Sequence, residues 1–323
     1  MAILLGLVFP GFVFSVAEKR FLHTDKRLPV ESSSTEQCDV QTEPQQSEGY
    51  KINVQSTASE TESMDLNTYV AGVLLGELPA DFDAETMKAQ AVVARTYALR
   101  RQSTAQKHSG AVCMESACCQ AYCGIADYLA QGGSQETVDR VISAVNATAY
   151  QVLTYQNQLI EATYFSCSGG RTEDAVAVWG AEIPYLQAVD SPGEEQAVHY
   201  TDSVRFTKQE FANLLHITPK GQPATWFGNV TYTNGGGVDT VVIAGKTFQG
   251  TELRSLLGLR STAFAVTAIG DSIHIVTKGF GHRVGMSQYG AEAMAVRGFG
   301  YAEILSHYYP GTTLKDYELT KPQ

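Results

Sequence analysis

The clearest periodic pattern of apolar residues runs from Met64 to Pro79, and it predicts an α-helix. Four residues recur at spacings of four, three and four and share one side of that helix: Leu66, Val70, Val73 and Glu77. Asp65 is placed to cap the start of the helix, and Pro79 ends it just after the glutamate. An acidic residue therefore closes an otherwise apolar stripe.

Partial burial would raise the pKa of the Glu77 carboxyl and keep a proton on it near neutral pH. A general acid needs such a proton, so Glu77 is the first candidate for a catalytic residue. The alternative interpretation is a partly buried glutamate that pairs with a nearby lysine or arginine.

The rest of the chain mixes helix and strand patterns. Asp81 or Asp83 can cap a second helix, whose stripe of small residues permits close helix packing. Further helices are predicted from Glu136 to Thr148, in KQEFANLLH and in TELRSLLGL, and two hairpins turn near Gln156-Asn157 and Gly270-Asp271. Helices clustered early and strand pairs later predict an α+β fold, with a single mixed helix and strand catalytic domain.

The amino-terminal part of the chain has a different composition. Residues 2–17 form an uncharged apolar run that is short for a spanning helix and lacks basic residues before it. We interpret residues 1–17 as a membrane anchor or a signal segment; a buried core helix is the third alternative. Residues 18–63, rich in Ser, Thr, Glu and Gln towards their end, predict a flexible linker before a folded domain at 64–320.

Composition narrows the class of partner. The chain is 44% hydrophobic and 18% charged, which is typical of a globular protein. Its net charge of −11 argues against a nucleic acid partner, which would require a basic face.

Two glycine-containing blocks carry candidate binding residues. In YFSCSGGRT, a strand would place Tyr164, Ser166 and Ser168 on one face beside a tight glycine turn, with Trp179 as a possible stacking platform for a sugar. Ordinary surface hydroxyls at a hairpin end are the alternative. Two acids that follow this block, Glu173 and Asp174, are candidates for a second carboxylate.

The second block, GFGHRVGMSQYGA, lacks the Lys-Ser/Thr ending of a nucleotide-binding loop. Ser287 is placed to cap the helix that follows it. His282 is either a ligand-binding residue or a structural histidine that holds the loop in place.

A cluster of cysteines is the third chemical signal. His108 and four cysteines between Cys113 and Cys123 lie within sixteen residues and can supply a tetrahedral zinc set. Four protein ligands would leave no open position, so such a metal would be structural. Disulfides among these cysteines and Cys167 are the alternative in an extracytoplasmic protein.

Four blocks together resemble the stage II sporulation protein D family of bacterial cell-wall enzymes. They run in the family's order from about Met64 to Leu314: GELPADFDAETMKAQAVVARTYALR, YFSCSGGRTEDAVAVWG with PYL and VDSP after it, GFGHRVGMSQYGAEAMAVRG, and ILSHYYPGTTL. Residues 200–261, where the motifs thin out, are a possible inserted subdomain.

The resemblance implies a lytic transglycosylase that cuts peptidoglycan glycan strands during engulfment of the forespore. It implies Glu77 as the catalytic acid and a glycan groove lined by His282, Ser287 and Gln288. Arg283 departs from the glycine expected there and would add charge or bulk to the groove. A metal loop found in part of the family implies His108, Cys113, Cys118 and Cys119 as zinc ligands, with Cys123 as a substitute for His108.

The resemblance also implies cellular context. It implies a membrane-anchored enzyme outside the mother-cell membrane, acting on peptide-stripped glycan together with a sporulation amidase and a membrane partner. The same domain type occurs in amidase enhancers, so a non-catalytic peptidoglycan-binding protein is the alternative function.

Overall fold

A computed structural model describes residues 50–55, 60–104, 108–116 and 118–317 of the chain. It combines helices with small sheets, which confirms the predicted α+β class. The predicted anchor or signal segment at 1–17, and residues 18–49 of the predicted linker, lie outside the described residues. Across the described ranges, no helix has both the length and the apolar character needed to cross a membrane.

Most of the described helices lie close to predicted positions, whereas the short helices at 125–130, 175–179 and 301–308 were not predicted. The described helices are α1 (Leu66–Glu77), α2 (Ala84–Thr104), α3 (Ile125–Ala130), α4 (Gln135–Ala147), α5 (Ala175–Trp179), α6 (Lys208–Leu214), α7 (Gly250–Leu256), α8 (Gln288–Ala295) and α9 (Tyr301–Tyr308). As predicted, Asp65 caps α1, and its side chain accepts a hydrogen bond from the backbone N–H of Thr68 at 2.9 Å.

The strands are short and form several small sheets. They are β1 (Lys51–Gln55), β2 (Thr61–Asp65), β3 (Val112–Cys113), β4 (Gln151–Tyr155), β5 (Gln158–Leu159), β6 (Tyr164–Phe165), β7 (Thr201–Thr207), β8 (Phe227–Tyr232), β9 (Val238–Ile243), β10 (Lys246–Gln249), β11 (Phe264–Ile269), β12 (Ser272–Lys278), β13 (Met286–Ser287) and β14 (Thr313–Asp316). Their orders are β2–β1–β3, β14–β4–β5, β13–β6, β11–β12–β7 and β10–β9–β8. Both predicted hairpins, β4–β5 and β11–β12, are confirmed.

Helix α2 lies at the centre of the fold and packs against α1, α4, α8 and α9. The small-residue stripe explains this position, because Ala91, Ala94 and Ala98 are fully buried and let neighbouring helices approach closely. Apolar residues of α1 that were predicted to face the core, such as Val70 and Val73, are also fully buried.

The folded part begins earlier than the sequence predicted. Strand β1 and the start of β2 lie inside the segment 18–63 that was predicted to be a flexible linker. Alternating burial explains the strand, since Ile52 and Val54 are fully buried while Lys51 and Asn53 are exposed. The two pairs of alternating residues are too short a signal to stand out in a polar segment.

Residues 201–278 share a hydrophobic core of their own, here called the carboxyl-side core. It includes Phe211, Trp226, Phe248, Ile273 and Ile275, all buried. The predicted subdomain at 200–261 therefore packs together with the β11–β12 hairpin that follows it. A separately folding insertion at this place stays a prediction.

Candidate active site and metal cluster

A cleft of about 550 Å³ opens where the end of α1, the cysteine-rich loop, β6 and the start of α8 meet. Pairing of the short strands β6 and β13 aligns Tyr164 with Met286 and Phe165 with Ser287, and so joins the two glycine-containing blocks. The lining includes Glu77, Tyr164, His282 and Gln288, four residues that the sequence singled out.

Glu77 is half-buried in this cleft at the last position of α1. Its Oε1 accepts hydrogen bonds from the backbone N–H of Ala121 at 2.7 Å and from the Tyr164 hydroxyl at 3.1 Å. Burial raises the pKa of Glu77 above its usual range, and the hydrogen bonds from Ala121, Tyr164 and Gln288 oppose part of that rise. The carboxyl is therefore a better proton donor at neutral pH than an exposed glutamate.

Gly76 allows the cysteine-rich loop to approach α1 next to Glu77. A Cβ at this position would lie 2.9 Å from the backbone nitrogen of Tyr122 and 3.0 Å from the carbonyl carbon of Ala121. Real side-chain carbons do not come so close to backbone atoms, so only glycine lets the loop lie against α1.

Two residues behind Tyr164 could not be recognised from the sequence. Gln120 is fully buried, donates from Nε2 to the Tyr164 hydroxyl at 3.1 Å and accepts from the Tyr69 hydroxyl at 3.3 Å. The sequence marks Gln120 only as a polar residue directly after two cysteines. Tyr69, fully buried in α1, gives no signal beyond an aromatic residue in a helix.

His282 lines the cleft, with its ring 5.4 Å from the ring of Trp179 and 5.6 Å from that of Phe165. Burial, followed by the nearby charge of Arg254, lowers the pKa of His282 to about 4, so the ring is neutral at neutral pH. Its Nδ1 accepts from the backbone N–H of Val284 at 3.1 Å, which holds the loop. Trp179 is 44% exposed and presents a ring surface beside it.

Gln288 is buried in the cleft wall, and its Nε2 lies 3.5 Å from Glu77 Oε2.

The structure corrects the prediction that Ser287 and Ser168 bind substrate. Ser287 is fully buried and caps α8, accepting from the backbone N–H of Gly290 at 3.1 Å. Ser168 is fully buried beyond the end of β6, and its hydroxyl donates to Glu194 at 2.9 Å.

The predictions for Arg283 and Glu173 are corrected for a related reason. Both side chains are buried away from the cleft and form an ion pair, with Arg283 Nη1 at 3.1 Å from Glu173 Oε1. The guanidinium also donates to the backbone carbonyls of Ser168 and Gly235. Arg283 therefore adds nothing to the groove, and Glu173 is not a second acid in it. Asp174 accepts from the backbone N–H of Ala188 and likewise does not line the cleft.

The cysteine-rich loop brings together the four residues whose spacing resembled a metal loop. The ligand atoms of His108, Cys113, Cys118 and Cys119 all lie within 4.8 Å of one another, and His108 Nε2 is 3.2 Å from Cys118 Sγ. These separations and the N/S donor set suit a tetrahedral ion such as zinc. Cys123 lies outside the cluster, with its thiol near the carbonyl of Gly124. Among the described cysteines, Cys113, Cys119, Cys123 and Cys167 are free thiols.

Fold and site together define an α+β protein whose cleft contains a half-buried glutamate beside a cysteine and histidine cluster. A family model described as "Stage II sporulation protein" matches residues 54–155. Stage II sporulation protein D of Bacillus subtilis (strain 168) is 40% identical over 272 residues, which cover 82% of this chain and 79% of that protein. The chain therefore belongs to the stage II sporulation protein D family.

Two further relatives match most of this chain. Stage II sporulation protein D of Bacillus amyloliquefaciens is 38% identical over 261 residues, covering 79% of this chain and 75% of that protein. An amidase enhancer of Bacillus subtilis is 29% identical over 305 residues, covering 76% of this chain and 40% of that protein. The family assignment identifies the chain as a sporulation-related protein.

Proposed function

We propose that this protein is a peptidoglycan lytic transglycosylase with Glu77 as its single acid and base. The observation that carries the proposal is the cleft: among its described lining residues Glu77 is the one carboxyl, and burial raises its pKa. Most glycosidases need two carboxylates, so a lone acid favours a reaction in which the second is unnecessary.

Intramolecular attack is such a reaction. Glu77 donates its proton to the glycosidic oxygen between N-acetylmuramic acid and N-acetylglucosamine as the bond to the muramyl anomeric carbon breaks. The muramyl 6-hydroxyl then bonds to that carbon and gives its proton to the Glu77 carboxylate. The products are a free N-acetylglucosamine end and a 1,6-anhydro-muramyl end; no water is consumed, and Glu77 returns to its acid form.

The remaining cleft residues support binding of a glycan. Tyr164 and Gln288 present polar groups beside Glu77, and the exposed ring of Trp179 next to His282 offers a surface on which a sugar can stack. We extend the proposal to one structural zinc ion held by His108, Cys113, Cys118 and Cys119. The protein would act on peptide-stripped septal glycan from an anchor in the mother-cell membrane, with a sporulation amidase and a membrane partner.

A second candidate function is a binding protein that stimulates an amidase without cutting glycan. Similarity to an amidase enhancer favours it. The two functions differ in one product, the anhydro-muramyl end, which only the enzyme makes.

The test is mass spectrometry of purified peptide-free glycan after incubation with the protein. Glu77→Gln is expected to keep the fold and lower the yield of anhydro-muramyl ends by roughly 10²-fold or more, because general acid–base catalysis contributes about 10²–10⁴-fold. Glu292→Gln is the matched control: Glu292 is also half-buried, has a raised pKa and accepts from Asp83 and Thr86, but it does not line the cleft. Glycan binding without anhydro ends in the unaltered protein would select the amidase enhancer function.

A further inference from the structure

The cysteine cluster and the Glu77 carboxyl are connected by a very short piece of chain. Cys119 contributes to the cluster, Gln120 follows it, and the backbone N–H of Ala121 donates to Glu77 Oε1 at 2.7 Å. Gly76 is what allows this piece of chain to lie against α1. The position of the Ala121 amide is therefore coupled to the position of the cluster two residues earlier.

Gln120 adds a second connection through its side chain. Its Oε1 accepts from the Tyr69 hydroxyl at 3.3 Å, which fixes the orientation of the amide group. Its Nε2 then points at the Tyr164 hydroxyl oxygen at 3.1 Å. An amide nitrogen can only donate, so the Tyr164 oxygen accepts this bond.

The consequence is a defined direction for the single proton of Tyr164. Because the hydroxyl oxygen already accepts from Gln120, its proton is free for Glu77 Oε1, 3.1 Å away. Glu77 Oε1 thus accepts from two donors, Ala121 and Tyr164. In the acid form of Glu77 the proton is therefore placed on Oε2, whose Gln288 contact is longer at 3.5 Å.

We propose that Gln120 is a positioning residue for Glu77: it aims the Tyr164 hydroxyl at Oε1 and so assigns the catalytic proton to Oε2. This inference rests on the proposed function of Glu77 as acid and base. Removing the Gln120 amide would let the Tyr164 hydroxyl rotate, so that Glu77 would share its proton between two oxygens and only one would face the substrate.

The experiment compares Gln120→Met with Gln90→Met. Gln90 is equally buried, on α2, and does not line the cleft, so the pair separates loss of a buried amide from loss of this particular one. Metal content and melting temperature are measured first in both variants. Turnover of peptide-free glycan then gives kcat, KM and the pH profile.

For Gln120→Met we expect kcat to fall by on the order of tenfold, the equivalent of one hydrogen bond to a charged group, with KM and metal content little changed. The basic limb of the pH profile should move to higher pH, because Glu77 loses a donor that stabilises its carboxylate. The other titratable groups at the cleft, Tyr97, Arg101, Tyr164, His282 and the cluster thiols, are kept in both variants. Gln90→Met should change neither kcat nor the pH profile.

A readout without turnover separates this inference from the proposed function. Carboxyl ¹³C NMR, with the Glu77 signal assigned by its absence in Glu77→Gln, should show a higher Glu77 pKa in Gln120→Met than in the unaltered protein. If the unaltered protein makes no anhydro ends but the NMR shift is seen, the enzyme proposal fails while the positioning role stands. Unchanged kcat, pH profile and Glu77 pKa in a folded Gln120→Met protein would overturn the positioning role. Tyr69→Phe, which removes one hydroxyl, serves if Gln120→Met does not fold, with the same directions expected.

Discussion

At Glu77 two physical effects oppose each other on one side chain. Burial disfavours the charged carboxylate, whereas three hydrogen-bond donors favour it, and burial is the larger effect because the pKa is raised. Burial without the donors would raise the pKa further, so the carboxyl would give up its proton less readily. Donors without burial would lower the pKa and leave the carboxyl ionised at neutral pH, with no proton to give. The combination suits a residue that must give a proton and then take one back.

The raised pKa predicts a pH-dependent difference in stability between the unaltered protein and Glu77→Gln. Above the ordinary glutamate pKa near 4.5 the unfolded chain ionises freely while the folded protein resists ionisation, so the unaltered protein loses stability as the pH rises to the raised pKa. Glu77→Gln lacks this loss. Thermal melts should therefore show Glu77→Gln gaining stability relative to the unaltered protein from acidic to neutral pH. A relative stability of Glu77→Gln that stays constant or falls as the pH rises would contradict the raised pKa.

Ser287 and Gln288 are neighbours in sequence, but we expect Ser287 to contribute to stability and Gln288 to turnover. Ser287→Ala removes the cap of α8 and should lower the free energy of unfolding by about 0.5–2 kcal/mol. Gln288→Ala removes a group beside Glu77 and should lower turnover more than stability. Denaturant titration and glycan turnover, measured on both variants, check this contrast; similar losses of stability in the two variants would contradict it.

At the scale of elements, the loop between β3 and α3 has no helix or strand in its described residues, although it packs Met114 and Tyr122 against the hydrophobic core. It nevertheless brings the cluster ligands together and carries the amide that binds Glu77. A metal ion held by the cluster would make this loop more rigid, because ion binding adds directly to folding stability.

We therefore expect about one zinc ion per chain, and a lower melting temperature after treatment with a chelator. Cys119→Ser should release the metal, whereas Cys123→Ser should keep it because Cys123 lies outside the cluster. Elemental analysis of the three proteins provides the measurement. Equal metal content in Cys119→Ser and the unaltered protein would rule out this ligand set.

At the scale of the whole molecule, the buried Arg283–Glu173 ion pair, here called the buried clamp, joins the glycine-rich loop at 233–237 to the two glycine-containing blocks. Glu173 Oε1 accepts from Thr233 and from the backbone N–H of Gly237, while Arg283 donates to the carbonyl of Gly235. A Cβ at Gly235 would lie 2.2 Å from the carbonyl oxygen of Thr172, so this loop fits only with glycine there. The glycine-rich stretch at 234–237, which the sequence predicted to be a loop, thus packs directly against Glu173 and Arg283.

Removing one partner of the buried clamp should lower the free energy of unfolding. Arg283→Met leaves Glu173 buried without its partner and should destabilise the protein by about 3–5 kcal/mol. Lys208→Met is the control, because the exposed Lys208–Asp271 pair should contribute at most about 1 kcal/mol. Denaturant unfolding of both variants gives the comparison, and equal small losses would mean that the clamp does not hold the two parts together.

The sequence by itself determined most of the longer helices, two hairpins and the candidate acid. Periodicity placed α1 and its buried stripe, turn residues placed both hairpins, and the position of Glu77 on that stripe indicated a partly buried carboxyl with a raised pKa. One histidine and four cysteines within sixteen residues indicated a candidate zinc set, and the resemblance to a family metal loop singled out the four residues that lie together. These properties are local, because they depend on residues within a few turns of chain.

Only the tertiary structure decided which polar residues face the cleft. Ser168 and Ser287 resemble binding residues in sequence. In the structure, however, the Ser168 hydroxyl donates to the buried Glu194, and the Ser287 hydroxyl accepts from the backbone N–H of Gly290 at the start of α8. Gln120 gave almost no signal, although it lies between Tyr69 and Tyr164, which are 51 and 44 positions away along the chain. A polar side chain satisfies its hydrogen bonds with whatever folding brings near it, and that neighbourhood is a property of the packed molecule.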